Sequence, residues 1–147
     1  MFTTIVWGTD GSEAADRALE YAKELATSSG TRLFGVHVDE RFTGGRSTGA
    51  PVLADEDELR SRARGQIETA RTEGFDASFD ILHCTAGRTA HALAEFADSV
   101  DADVIVIGTH GHSPLTGALL GSVAQGLLHR APCPVLAVPP VHALVHA

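Results

Sequence analysis

Lysine is nearly missing from this chain: of its eleven basic residues only Lys23 is a lysine, and nineteen acidic residues bring the formal charge to −8. Binding to a nucleic-acid backbone requires clustered Lys and Arg to neutralise phosphates, and no such cluster is present, so no nucleic-acid partner is expected. Long apolar runs are missing as well. None approaches the ~18 residues that a membrane span needs, so no membrane partner is expected either. The opening MFTTIVWGTDGS lacks a basic segment followed by an apolar stretch and a small-residue cleavage site, which makes a cytoplasmic location the expectation. Cysteine is limited to Cys84 and Cys133, without CxxC spacing. That excludes a disulfide framework and a cysteine metal or redox site, and both should pack as small hydrophobes. Two catalytic signatures are also absent: GxxxxGK[ST], and GxGxxG after the first strand.

What is there reads as one domain. A chain of 147 residues buries roughly two-thirds of the surface exposed by its unfolded form. Its apolar pattern switches repeatedly between runs of strand length and longer stretches with helical spacing, the βαβα signature of a parallel sheet. The expected strands are 4–8, 32–38, 77–83, 103–107 and 135–138. Helical stripes run through Ala15, Ala18, Leu19, Ala22, Leu25 and Ala26; through Leu59, Ala63, Ile67 and Ala70; and through Ala90, Leu93, Ala94, Ala97 and Val100. A fourth helix is expected from Ser122 to His129. Asp55 and Glu58 have capping-box spacing at the start of the second helix, and residues 39–54, rich in turn formers, read as a mobile surface loop or flap. Gly35 within the second strand implies close approach of another group.

Right-handed crossovers place helices on both faces of a single open five-stranded parallel sheet of Rossmann-like, doubly wound type, with strand order 3-2-1-4-5. Residues 1–140 form the expected domain and 141–147 an unassigned tail. Ligands of such sheets bind where the winding reverses, at the carboxyl ends of strands one and four. Asp10 and Gly108 follow those ends. Residues 108–122 read GTHGHSPLTGALLGS, between a buried strand and a helix start. Glycines admit a ligand to the main chain, and a helix amino terminus offers unpaired N–H groups and about half a positive charge, so an anion is favoured there. The plainer reading is a strand-to-helix connection in which Ser122 and Gln125 make a capping box.

Gly108, Gly111, Gly121 and Ser122 match the GxxG-x9-G[ST] motif of the nucleotide-binding universal stress proteins, which the chain resembles over nearly its whole length. The resemblance includes the Val6-to-Ser12 segment, the strand-two ending at Val36 to Asp39, and the last strand from Pro134 to Val138. It implies an adenine nucleotide alpha hydrolase-like fold that takes ATP, AMP or another adenine nucleotide as cofactor, with or without Mg2+. Asp10 and the Val38 backbone would contact the nucleoside, with Thr9 and Ile107 nearby. Gly108, His110, Gly111, Gly121, Ser122 and Val123 would surround the ribose and phosphates. His112 stands where the family often has Arg or Lys, and a histidine with an ordinary pKa of about 6.5 is mostly neutral at pH 7, which weakens phosphate neutralisation. A homodimer through the last strand, Val135 to Val138, is expected because a short apolar edge strand invites pairing with its copy.

The implied role is a stress-response module, regulatory rather than strongly catalytic, because the loop has no lysine and no positioned base for hydrolysis. One alternative is a slow ATP hydrolase or a nucleotidyl- or phosphate-transferring enzyme using His110 or His112; another is a nucleotide-free dimeric interaction module. The pairs His110/His112 and His142/His146 lack a third ligand and do not define a metal site. His110-Gly-His112 is one residue shorter than the HxGH loop of nucleotidyl transferases and follows the wrong strand. His83 and Cys84 are adjacent in an extended segment and point apart, and Arg88 reads as a solvated helix residue.

Overall fold

A computed structural model of the chain describes residues 2–26, 30–41, 50–111 and 120–141. The elements follow in strict alternation: β1 (Thr4–Gly8), α1 (Glu13–Leu25), β2 (Arg32–Arg41), α2 (Ala50–Thr72), β3 (Asp76–Thr85), α3 (Thr89–Ser99), β4 (Val104–Gly108), α4 (Ser122–Arg130) and β5 (Val135–Val138). The strands form one sheet in the order β3-β2-β1-β4-β5, every pairing parallel. The doubly wound architecture expected from the sequence is therefore present, with β5 at an edge.

A strand covered on both faces must be apolar on both, and β1 is buried at every position. Its alternate side chains feed two cores. Ile5 and Trp7 join Leu33, Val104 and Val106 beneath Ala18, Leu19 and Ala22 of α1 and Ile67 and Ala70 of α2. Val6 joins Val36, Ile105 and Ile107 beneath Leu93 and Ala97 of α3 and Ala124 and Leu127 of α4. Trp7 has no exposed surface, and its indole N–H donates to the Ala15 carbonyl at 2.9 Å. Gly35 has the close neighbour that its place in a strand implied: an added Cβ would lie 2.6 Å from Cδ1 of Ile67.

Several boundaries differ from the sequence reading. Strand β2 continues through Arg41 and β3 through Thr85, because the two pair with each other to their last residues. Their ends are charged or polar, so no apolar alternation announced them. Helix α2 begins at Ala50 rather than Asp55. Pro51 belongs to its first turn, where a missing N–H costs nothing, so the proline read as a loop former is a helix starter. The loop expected over 39–54 thus contracts at both ends, and 42–49 lie outside the described residues. Asp55 is inside the helix and not its cap, which removes the supposed capping box with Glu58.

Candidate functional site

Since Gly8 pairs with Val36, residues 37–41 of β2 run past the end of β1 and wall the space above it. On the other side the chain leaves β4 at Gly108 and re-enters a helix at Ser122. Between these walls lies a cavity of about 720 Å³, within the size range of small-ligand pockets. Thr9, Asp10, Val38, Ile107, Gly108, His110, Gly111, Gly121, Ser122 and Val123 all line it. His112, the remaining sequence candidate, lies outside the described residues, as do His142 and His146.

The two loops that meet here are tied together. Ser12, the N-cap of α1, accepts from the Ala15 amide at 3.2 Å, and its hydroxyl donates to the His110 carbonyl at 3.4 Å. Asp10 accepts from the Ser12 amide at 2.9 Å through Oδ1, while Oδ2 lies 2.5 Å from where a Cβ on Gly111 would stand. The second motif glycine is therefore required by the carboxylate beside it. The first has a packing reason: a Cβ on Gly108 would come within 2.7 Å of the Ala14 Cβ, where α1 docks on the strand end. Thr109 accepts from the Gly121 amide at 2.7 Å and pairs through its hydroxyl with His110 Nδ1 at 2.8 Å.

Helix α4 opens on this space without a side-chain cap. Gly121 is its N-cap, with φ −62° and ψ 160°, no capping side chain is present and no acid occupies the first turn. Ser122 is thus the first helical residue and not the cap of a box with Gln125. The Gln125 side chain instead donates to the Leu120 carbonyl at 2.8 Å. Ser122, Val123 and Ala124 line the cavity from the turn whose N–H groups have no intrahelical acceptors, an arrangement that favours negative charge at this wall.

The opposite wall holds polar residues that the sequence reading left out: His37, Glu40, Glu56 and Thr89. His37 is 5% exposed, with Nδ1 3.1 Å from the Thr9 carbonyl and Nε2 2.9 Å from Glu56 Oε2. A carbonyl only accepts, so Nδ1 is the donor of that bond, and the Nε2–Oε2 contact ties the ring to α2. The Thr89 hydroxyl donates to Glu40. A histidine in a buried strand must find partners, so His37 carried a usable signal; Glu56 carried none while its segment read as a loop. His83 faces Asp39 at 3.3 Å, and Arg88 does not line the cavity. Among the described residues no helix is long and apolar enough to cross a membrane.

Comparison with known proteins gives a consistent result. The model of the universal stress protein family matches residues 1–139. A universal stress protein of Thermus aquaticus is 37% identical over 142 residues, covering 94% of this chain and 99% of its own length. Among solved structures, a universal stress protein in complex with cAMP is 30% identical with a TM-score of 0.69, over 95% of this chain and 98% of that one. The universal stress protein from Archaeoglobus fulgidus in complex with dAMP is 28% identical with a TM-score of 0.65, over 94% and 98% of the two chains.

Proposed function

The chain belongs to the universal stress protein family, and from that premise we propose that it binds an adenine nucleotide in the cavity above β1 and β4. The observation that carries this reading is the convergence of the motif residues and Asp10 on one cavity of about 720 Å³ beside the uncapped start of α4. The phosphates lie against Gly121 to Val123, and the nucleoside lies toward Asp10 and the Val38 backbone. The complexes of similar proteins with cAMP and dAMP support an adenine ligand. We take ATP as the resident nucleotide, and Mg2+, where bound, would be held by its phosphates.

The role is regulatory rather than strongly catalytic. Phosphoryl transfer calls for charge compensation at the leaving oxygens and an oriented water, and the described lining contains no lysine or arginine. Mass spectrometry of the small molecule released by acid from the purified protein, with thermal-shift titrations of ATP, AMP and GTP with and without Mg2+, tests the reading. Release of an adenine nucleotide and stabilisation by ATP are expected, with almost no phosphate formed in a single-turnover assay. Stabilisation by no nucleotide would refute it, and rapid hydrolysis lost in His110→Ala would replace it with the enzyme reading. The protein acts in the cytoplasm as a homodimer through β5, an interpretation supported by the edge position of that strand and by Leu136, which is 36% exposed on it. Sedimentation of wild type and Leu136→Lys distinguishes a dimer from a monomer.

A further inference from the structure

The loop that carries Asp10 is bracketed on both sides by bonds that lead to α2. On one side the Thr9 carbonyl accepts from His37 Nδ1, and the far nitrogen of that buried ring is braced by Glu56 of α2 at 2.9 Å. On the other side the Gly11 carbonyl accepts from Nη1 of Arg62, which follows Glu56 along α2 by nearly two turns, at 2.9 Å. Arg62 is itself aimed by its ion pair with Asp16 in the first turn of α1, whose other oxygen accepts from Gln66 at 3.0 Å. Gly11 stands at φ +78°, a left-handed turn that leaves its carbonyl direction dependent on such a partner. The residue between the two held carbonyls is Asp10, packed against Gly111. We propose that His37, Glu56 and Arg62 are positioning residues that fix the Asp10 carboxylate for its ligand through the flanking peptides.

On this account α2 belongs to the binding machinery, although only its early turns, at Glu56 and Leu59, line the cavity. A carboxylate–imidazole brace sets the ring's orientation, so that Nδ1 stays on the Thr9 carbonyl. The planar fork of Arg62 spans a carbonyl and a carboxylate at once, which an ammonium reproduces only in part. Both restraints are made before any ligand arrives, so the entropy of ordering the loop is not charged to binding. The inference rests on the nucleotide reading for what Asp10 meets, but its mechanical half can be measured on the protein alone.

The test uses Arg62→Met, with Arg62→Lys as its conservative counterpart, and Glu56→Ala, with Glu56→Gln as its own. Arg62 is half exposed, so its variants are expected to fold. Hydrogen exchange at the Gly11 and Ser12 amides, melting temperature and ATP affinity are measured for each. Both truncations should speed exchange at those amides about tenfold and weaken ATP about tenfold, the scale of one lost hydrogen bond, and Arg62→Met should do so at nearly constant melting temperature. The conservative variants should recover much of both. Unaltered exchange would overturn the proposal, and so would faster exchange with unaltered affinity, or an affinity loss that merely follows the melting temperature. If wild type binds no nucleotide, the nucleotide reading fails separately, and the exchange measurements still decide whether α2 holds the loop.

Discussion

Replacing Gly35 by alanine should destabilise the protein through a single collision. The new methyl would lie 2.6 Å from Cδ1 and 2.8 Å from Cγ1 of Ile67, and 3.2 Å from Cε3 of Trp7. Carbon atoms sit comfortably about 3.5–4.0 Å apart, so Ile67 would have to withdraw by roughly 0.9 Å. It has nowhere to go, being 1% exposed, while Trp7 is fully buried and pinned by its bond to Ala15. Overpacking of this kind costs about 1–3 kcal/mol, and a crowded site between a helix and a tryptophan belongs at the upper end. Removing a strand glycine returns about 0.5–1 kcal/mol. The net loss is about 2 kcal/mol, or about 4–8 °C in Tm for a domain of this size. Ile67→Ala alone should cost about 2–5 kcal/mol through the cavity it leaves. Combined with Gly35→Ala it should cost less than the sum, by on the order of 1–3 kcal/mol, because the methyl then occupies part of that cavity. Urea denaturation of the four proteins gives the cycle. A Gly35→Ala protein as stable as wild type, or strict additivity in the double variant, would refute the reasoning.

Gly111→Ala should act on binding instead: its methyl would stand 2.5 Å from Asp10 Oδ2 and displace the carboxylate from the Ser12 amide. ATP affinity by calorimetry should fall about tenfold or more, on the scale of one charge-assisted hydrogen bond, and an unchanged affinity would count against the assigned role of Asp10. Asp103 is held below the ordinary carboxylate pKa by the Thr3 hydroxyl, with the Thr3 and Thr4 amides adding to it. Its folded pKa being the lower one, the stabilisation is complete above the ordinary value of 3.8 and is lost as pH falls through the folded value. Asp103→Asn should therefore be less stable than wild type at pH 7, with the gap closing below pH 3.8; a gap that persists in acid would show a cause other than ionisation. Burial pushes the Cys133 thiol up, and the charge of Asp103 adds to that. Alkylation of Cys133 at pH 8, followed by mass spectrometry, should be slower in the folded protein than in urea, and equal rates would contradict the shift.

The sequence was most legible where burial is continuous or a motif is contiguous. Strand β1 and strand β5 end where their apolar runs end, and the order of the sheet follows from alternation and crossover hand. Gly35 identified a close contact without identifying Ile67 as its source. The start of α2 was hidden because Pro51 fits a turn and a first helical turn equally well. The ends of β2 and β3 were hidden because two strands that only complete each other's ladder need no apolar face.

The cavity itself divides along the same line. Its glycine-rich wall is local: Gly108, Gly111, Gly121 and Ser122 lie on one stretch of chain, and their spacing is set by a single strand-to-helix passage. Its other wall holds a pairing across the sequence, His37 with Glu56 over 19 residues, and the loop carrying Asp10 is held by another, Arg62 with Gly11 over 51. No spacing rule connects those positions, because what brings them together is the docking of Ile67 over Gly35. The glycine that admits α2 to the sheet thereby also sets where Glu56 and Arg62 stand relative to Asp10. Crowding Gly35 should then disturb the ligand loop as well as the core, a coupling that separates a helix serving the site from one that only covers the sheet.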